Sequence, residues 1–289
     1  MIKKAVIPAA GFGTRFLPVT KAQPKEMLPI VDTPTIQYVV EEAVNSGIRD
    51  ILIITGRGKQ SIENHFDRAF ELEANLQAKG REEQLLQVRK LSSLANIHFI
   101  RQSELNGLGD AISYAKWHVD DEPFLVLLGD TLIDSPYPCS RQLIDTYNRF
   151  KAPVIGVEEV NPKKVERYGI IGGEEVAENT FKLDVLVEKP KQVEAPSNLA
   201  IAGRYVLTPD IFEYIEKTAE GVGNEIQLTD ALQLMLKDRE IYANRFEGKR
   251  FDIGNRLDYV KTTVEFAVKR KDIGPEVKAY LKKFVETLD

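Results

Sequence analysis

The chain predicts an α/β fold: a mixed, mainly parallel central sheet flanked by helices, with a smaller β-rich region and a helical C-terminal end. Two observations carry this. Through the first half, short apolar runs alternate with helical patterns, as βαβ units around a mainly parallel sheet do. Through the second half, the apolar runs come closer together and suggest further strands, some of them antiparallel. No internal repeat or low-complexity linker divides the 289 residues, a length that one large domain with appendages can bury.

Residues 5–9 form the first short apolar run, and residues 50–55, 97–101 and 124–129 repeat it. Helical patterns lie between them at residues 35–46, closed by Gly47, and at 108–119. Residues 66–94 are polar, rich in Glu, Gln and Lys, and read as exposed helix. Strands follow at 154–160, 170–176, 183–188, 201–207, 241–246 and 250–253, with helices at 210–218 and 228–237. Residues 257–288 read as two amphipathic helices parted by Ile273-Gly274-Pro275. The expected division is a catalytic domain over residues 1–255 and a helical segment over 256–289.

Hydrophobic content of 43% and charged content of 29% are ordinary for a globular chain. A net charge of −5 argues against a general nucleic-acid surface, which needs an excess of Lys and Arg. The single cysteine, Cys139, excludes an internal disulfide and a cysteine zinc site, and reads as a free thiol in the loop Tyr137-Pro138-Cys139-Ser140. His65, His98 and His118 share no metal spacing and read as structural or surface residues. Lys3-Lys4 precedes an apolar run that Pro8, Gly11 and Arg15 break too early for a signal peptide. No stretch approaches the roughly 18 apolar residues that span a membrane, so a cytoplasmic location is expected.

The first run leads straight into Ala9-Ala10-Gly11-Phe12-Gly13-Thr14-Arg15, a loop of small residues whose backbone a phosphate or base can approach closely. Arg15, Lys21 and Lys25 then fall within eleven residues, with no acid between them. Backbone N–H donors with Arg and Lys are what a triphosphate needs. The spacing of a Walker loop is absent. The dinucleotide fingerprint fails as well, because Phe16 stands where its third Gly belongs, and Pro18 and Pro24 keep the segment extended.

Asp130 closes the run Phe124-Leu125-Val126-Leu127-Leu128-Gly129, where a Mg²⁺ ligand would sit, since Mg²⁺ takes carboxylate oxygens with phosphates and water. Asp252 in Phe251-Asp252-Ile253-Gly254 has the same design, and two such acids could share one metal; a turn or cap role suits each equally well. Gln102 precedes Asn106-Gly107-Leu108-Gly109-Asp110-Ala111. Its amide can read the edge of a base, and the glycines allow that base to come close. Glu188-Lys189-Pro190 ends another strand; the carboxylate suits sugar hydroxyls and the ammonium a phosphate, or the two form a solvated pair. Gly169 and Gly203 read as close-approach glycines of the same pocket. In Glu225-Ile226-Gln227-Leu228-Thr229-Asp230, Glu225 and Thr229 are equally able to cap a helix.

These segments together closely resemble the bacterial UTP–glucose-1-phosphate uridylyltransferases, within the sugar-1-phosphate nucleotidyltransferases, over nearly the whole chain. The opening loop carries the superfamily, and Pro24-Lys25-Glu26-Met27-Leu28-Pro29 with the Gly107 segment carries the uridylyl branch. The resemblance implies a Rossmann-like nucleotidyltransferase fold with a sugar-side β region. Ala10, Gly11, Gly13, Glu26, Gln102 and Gly107 would hold the uridine nucleotide. Arg15 and Lys25 would bind the triphosphate, Asp130 Mg²⁺, and Gly169, Glu188 and Lys189 the glucose and its phosphate; Asp252 as a second metal ligand and Gly203 on the sugar side come from the residue patterns above. It implies UTP and glucose 1-phosphate as substrates, UDP-glucose and pyrophosphate as products, and a homodimer or homotetramer. Thr131 stands where the family has a second Asp, and Asp258-Tyr259 where it has Gly-Tyr. Thymidylyl or adenylyl transfer, and a noncatalytic nucleotide-sugar sensor, are the competing readings.

Overall fold

The computed structural model describes residues 2–288. In chain order its first half holds β1 (Lys4–Ala9), the hairpin β2 (Pro29–Ile30) and β3 (Thr33–Pro34), α1 (Thr35–Asn45), β4 (Asp50–Thr55), α2 (Gln60–Phe66), α3 (Phe70–Ala78), α4 (Glu82–Ser92), β5 (Asn96–Arg101), α5 (Leu108–Ser113), α6 (Lys116–Val119), β6 (Phe124–Leu127) and β7 (Thr131–Asp134). The second half holds α7 (Cys139–Phe150), β8 (Val154–Glu159), β9 (Gly169–Ala177), β10 (Thr180–Glu188), β11 (Leu199–Leu207), α8 (Ile211–Lys217), α9 (Leu228–Met235), β12 (Tyr242–Arg245), β13 (Lys249–Asp252), α10 (Arg256–Lys269) and α11 (Gly274–Val285).

Nine strands make one sheet in the order β5-β4-β1-β6-β11-β8-β12-β10-β9. The first four run parallel, with Ala5 opposite Ile51 and Leu125, as the βαβ reading requires. From β6 onward the joins are antiparallel except between β8 and β12. Because side chains alternate along a strand and helices cover both faces, the central strands feed two cores. β1 sends Ala5, Ile7 and Ala9 toward α1 and α7, and Val6 toward α5, α8 and α9. The carboxyl ends of the parallel strands open together into a cleft, the usual ligand edge of such sheets.

Several expectations are corrected. The strand at 124–129 stops at Leu127; Leu128-Gly129-Asp130 turns, and β7 leaves to pair with β13 as a separate ribbon. Pairing β7 with a strand more than a hundred residues later is invisible to local pattern. Cys139 is not in a loop: it is the first residue of α7, buried, with burial pushing its thiol well above the ordinary range. The expected helix at 108–119 breaks into α5 and α6 around Tyr114. The polar stretch 66–94 forms α3 and α4, tied by Glu73, whose carboxylate takes both Arg68 and Arg89 and is held down to about 2 by those hydrogen bonds.

One buried polar cluster fixes the turn that carries Asp130. Arg204, on β11, has no exposed surface. Its guanidinium grips Glu42 of α1 at 2.8–3.1 Å and donates to the carbonyls of Thr131 at 2.8 Å and Gly203 at 3.0 Å. Glu42 also accepts the backbone N–H and hydroxyl of Ser140 at the start of α7. The planar, forked guanidinium is the side chain suited to such a hub. Removing one partner leaves a buried charge unpaired, which costs about 3–5 kcal/mol. Arg204→Met should therefore lower the unfolding free energy in urea by about that amount, and Arg204→Met/Glu42→Met should recover most of it; a single variant as stable as the parent would deny the cluster this role.

Candidate active site

The site is built from loops that follow strands. After β1 the chain passes through Ala10–Gly13 and three short 3-10 turns, the third holding Lys25, Glu26 and Met27. Gly13 sits at φ +66°, and a Cβ there would lie 3.0 Å from Lys25 Cβ. Glycine is thus required both by the left-handed backbone and by the close pass of the lysine turn. Thr20 donates its hydroxyl to the Gly13 carbonyl at 2.8 Å, closing this loop on itself.

Two cavities meet on this edge. The larger, about 480 Å³, is lined by Ala10, Gly11, Gly13, Glu26, Gln102 and Gly107 among others. Every residue expected to touch a nucleotide base or ribose lies in that lining. The smaller, about 170 Å³, is lined by Gly169, Glu188, Gly203 and Asp252. Leu108, Leu128 and Asp130 belong to both, so Asp130 stands at the junction.

Gln102 is buried at the end of β5 and donates its amide nitrogen to Asp110 Oδ2 at 2.6 Å. The bond to Asp110 takes one of the two amide N–H groups, and the orientation it fixes leaves the carbonyl oxygen as an acceptor suited to a base N–H. Gly107 (φ +107°) and Gly109 dock on the segment before α9: Gly109 donates to the Ile226 carbonyl at 2.8 Å, and Ile226 to the Asn106 carbonyl at 2.7 Å. A Cβ on either glycine would fall within 2.7–2.8 Å of that same carbonyl. Neither Glu225 nor Thr229 caps α9. Thr229 instead donates to Glu188 Oε2 at 2.7 Å, orienting the carboxylate in the smaller cavity.

At the junction Lys25 Nζ lies 2.6 Å from Asp130 Oδ2. Burial pushes the Asp130 carboxyl up, but Lys25, with Arg15 behind it, outweighs burial and holds it below its ordinary range. Burial likewise opposes the charge on Lys25, and Asp130 with Glu26 overcomes it, raising the ammonium pKa. Asp252 is oriented by two bonds, from the Gly254 N–H at 2.9 Å and the Tyr168 hydroxyl at 3.0 Å. A Cβ placed on Gly254 would lie 2.9 Å from Asp252 Oδ1, 3.5 Å from Arg15 Nη1 and 3.9 Å from Asp130 Oδ2. Two carboxylates and a guanidinium therefore close on one point.

Such a donor set fits Mg²⁺, a hard cation that takes one or two carboxylates and fills its shell with phosphate oxygens and water. Among the described residues no cluster of three or more His, Cys, Asp or Glu could hold a metal unaided. Arg15 and Lys189 line neither cavity. Arg15 donates to the Gly254 carbonyl at 3.3 Å, and Lys189, at φ +47°, lies 3.3 Å from Glu188 Oε1 at the rim. Thr131 is buried and pairs across the ribbon with Asp252. Asp258 caps α10 reciprocally with Asn255, so this departure from the family pattern supports a helix start. Sequence reasoning missed Lys59, Thr229 and Asp110 as partners of Glu26, Glu188 and Gln102; Lys59 and Thr229 lie far along the chain from the acids they bind, and Asp110 lies in a quoted segment whose glycines alone were given a role.

Strand-end loops around two cavities that meet at Asp130, with Lys25 on its carboxylate, fit a nucleotidyltransferase class, and the chain belongs to the nucleotidyl transferase family, whose model matches residues 4–268. It is 53% identical over 281 residues to a UTP–glucose-1-phosphate uridylyltransferase of Staphylococcus epidermidis, covering 97% of this chain and 98% of that protein. A UDP-glucose pyrophosphorylase solved with UDP-glucose superposes with a TM-score of 0.87 at 43% identity, over 93% of this chain and 100% of the other. A UTP-bound enzyme of the same kind from Acinetobacter baumannii gives 0.90 at 38% identity, over 100% of both chains.

Because Gly109 meets backbone, its neighbour cannot swing aside. Gly109→Ala should lower the unfolding free energy by about 1–3 kcal/mol through overpacking and weaken UTP binding measured by calorimetry; unchanged stability would mean the Ile226 segment moves freely.

Proposed function

We propose that this protein joins UTP and glucose 1-phosphate to form UDP-glucose and pyrophosphate. The observation that carries the reading is the pair of cavities meeting at Asp130: one suits a base and ribose, the other a sugar, and the reacting phosphates belong between them. The 53% identity to a uridylyltransferase over nearly the full length supports the same substrates.

The reaction is a single in-line displacement. A phosphate oxygen of glucose 1-phosphate attacks the α-phosphorus of UTP, and the bond to the pyrophosphate oxygen breaks. That nucleophile is anionic near neutral pH, so no side chain has to remove a proton. The protein's part is proximity and charge neutralisation. Gln102 and the Gly107 segment hold the base, and Glu188, oriented by Thr229, accepts sugar hydroxyls. Lys189 holds the incoming phosphate in line, while Arg15 and Lys25 take the charge of the departing pyrophosphate. Asp130 and Asp252 would hold Mg²⁺, which supplies further positive charge to the phosphates. Each such contact is worth about 3–4 kcal/mol, roughly a hundredfold to a thousandfold in rate.

The same reading takes residues 1–255 as the catalytic part and 256–289 as a segment for subunit contacts in a homodimer or homotetramer. No helix among the described residues is long and apolar enough to cross a membrane, and a cytoplasmic enzyme is proposed.

The test is pyrophosphate release with glucose 1-phosphate and Mg²⁺, supplying UTP, dTTP, ATP, CTP and GTP in parallel. UTP should be strongly preferred and EDTA should abolish turnover; silence with every nucleotide, despite tight UDP-glucose binding, would favour a sensor. Asp130→Ala should abolish turnover, and near-normal rates in that variant would remove Asp130 from the metal site.

A further inference from the structure

Lys59 belongs to none of the motifs that point to the cleft, and its side chain lines neither cavity. It sits at the entry to α2, 5% exposed. Its ammonium reaches two groups that do line the nucleotide cavity: Glu26 Oε2 at 2.8 Å and the Gly11 carbonyl at 2.7 Å. Taking a long charged side chain out of water is costly. A buried ion pair rarely improves on a well-packed apolar pair, so stability alone gives no account of this one.

The geometry gives a different account. In a planar trans peptide, the carbonyl of Gly11 and the N–H of Phe12 point in opposite directions. Anchoring the Gly11 carbonyl on Lys59 turns the Phe12 N–H away from Lys59, within a loop whose residues line the cavity. A Cβ on Gly11 would find no atom within 4 Å, so the side-chain position there offers no packing to hold this peptide plane. The same ammonium fixes one oxygen of Glu26, itself only 1% exposed. Burial pushes the Glu26 carboxyl up and the Lys59 ammonium down, and the charge of each partner opposes that push in the other. The other charged groups acting on the pair are Lys25 and, on Lys59, Asp130, with Arg15 beyond them.

We infer that Lys59 is a positioning residue for the nucleotide: it presets the Gly11–Phe12 peptide and the Glu26 carboxylate in the orientation that UTP takes up. The inference rests on the reading of this cleft as the nucleotide site. A loop of small residues has many backbone states to lose on binding, and a fixed cation beneath it removes that cost before the ligand arrives.

The test uses Lys59→Met and Lys59→Met/Glu26→Gln, with UTP affinity by calorimetry and KM for each substrate between pH 6 and 9. The single variant should lose tenfold or more in UTP affinity while KM for glucose 1-phosphate stays within twofold. Its UTP affinity should also acquire a pH dependence, because Glu26 is left without its cation. The double variant should keep the tenfold loss and lose the pH dependence, since an amide does not titrate there. UTP affinity within twofold of the parent, or both KM values rising together, would overturn the role. If the single variant fails to fold, the double variant is compared with Glu26→Gln alone: a further loss of UTP affinity supports the role, and equal affinity in the two overturns it. A parent protein that binds no UTP would overturn the functional reading and this one with it, whereas a parent that binds UTP beside unaffected variants would overturn the positioning role only.

Discussion

The grip of Arg204 on Glu42 is the constraint from which the rest of the site is hung. It joins α1, β11, the start of α7 and the Leu128–Thr131 turn, four pieces of chain that local sequence does not bring together. β11 itself is irregular here: its register with β8 shifts between Ile201 and Tyr205, and Gly203 takes φ +71°. That bend puts Gly203 against Leu128 and aims Arg204 into the core beneath the turn. Asp130 is therefore positioned from below by a charge that never touches the cleft.

Above that base the site is a balance of opposite charges. Lys25 answers Asp130, Lys59 answers Glu26, and Lys189 answers Glu188. None of these acids is left to repel its neighbours. In the proposed reaction an incoming triphosphate would compete with Asp130 for Lys25. Such preorganised charge counts for most where water is thinned out, as at the Lys59–Glu26 pair, and for less at the Lys189–Glu188 pair on the rim.

Much of this was legible in the sequence. The parallel half of the sheet followed from alternating apolar runs and helical patterns, and the glycine-rich loop after β1 marked the cleft because glycine and clustered cations have few other reasons to coincide. Gly107 and Glu188, which the structure places along the two cavities, drew notice for a like reason: special backbone or charge just beyond a strand. What stayed hidden depends on long-range pairing. β7 needs β13 to exist, and Thr229 is meaningful only beside Glu188. Lys59 belongs to no motif of the sequence, and only the fold shows that it is buried. Glu225 and Thr229 had the right chemistry for a cap, and tertiary contacts used Thr229 elsewhere.

The start of α10 clasps the opening of the chain. Arg256 donates to the carbonyls of Arg15 at 2.9 Å and Leu17 at 3.1 Å, Tyr259 donates to the Pro29 carbonyl at 2.8 Å, and its ring packs edge-on against Phe16. These partners lie 230 to 241 residues apart for the hydrogen bonds. During synthesis the loop after β1 emerges long before α10, and the clasp has no second half until that helix follows more than two hundred residues later. Contacts of such long separation form late. The glycine loop after β1 therefore waits for α10, and a chain stalled before that helix would keep much of the sheet while leaving the loop without its clasp.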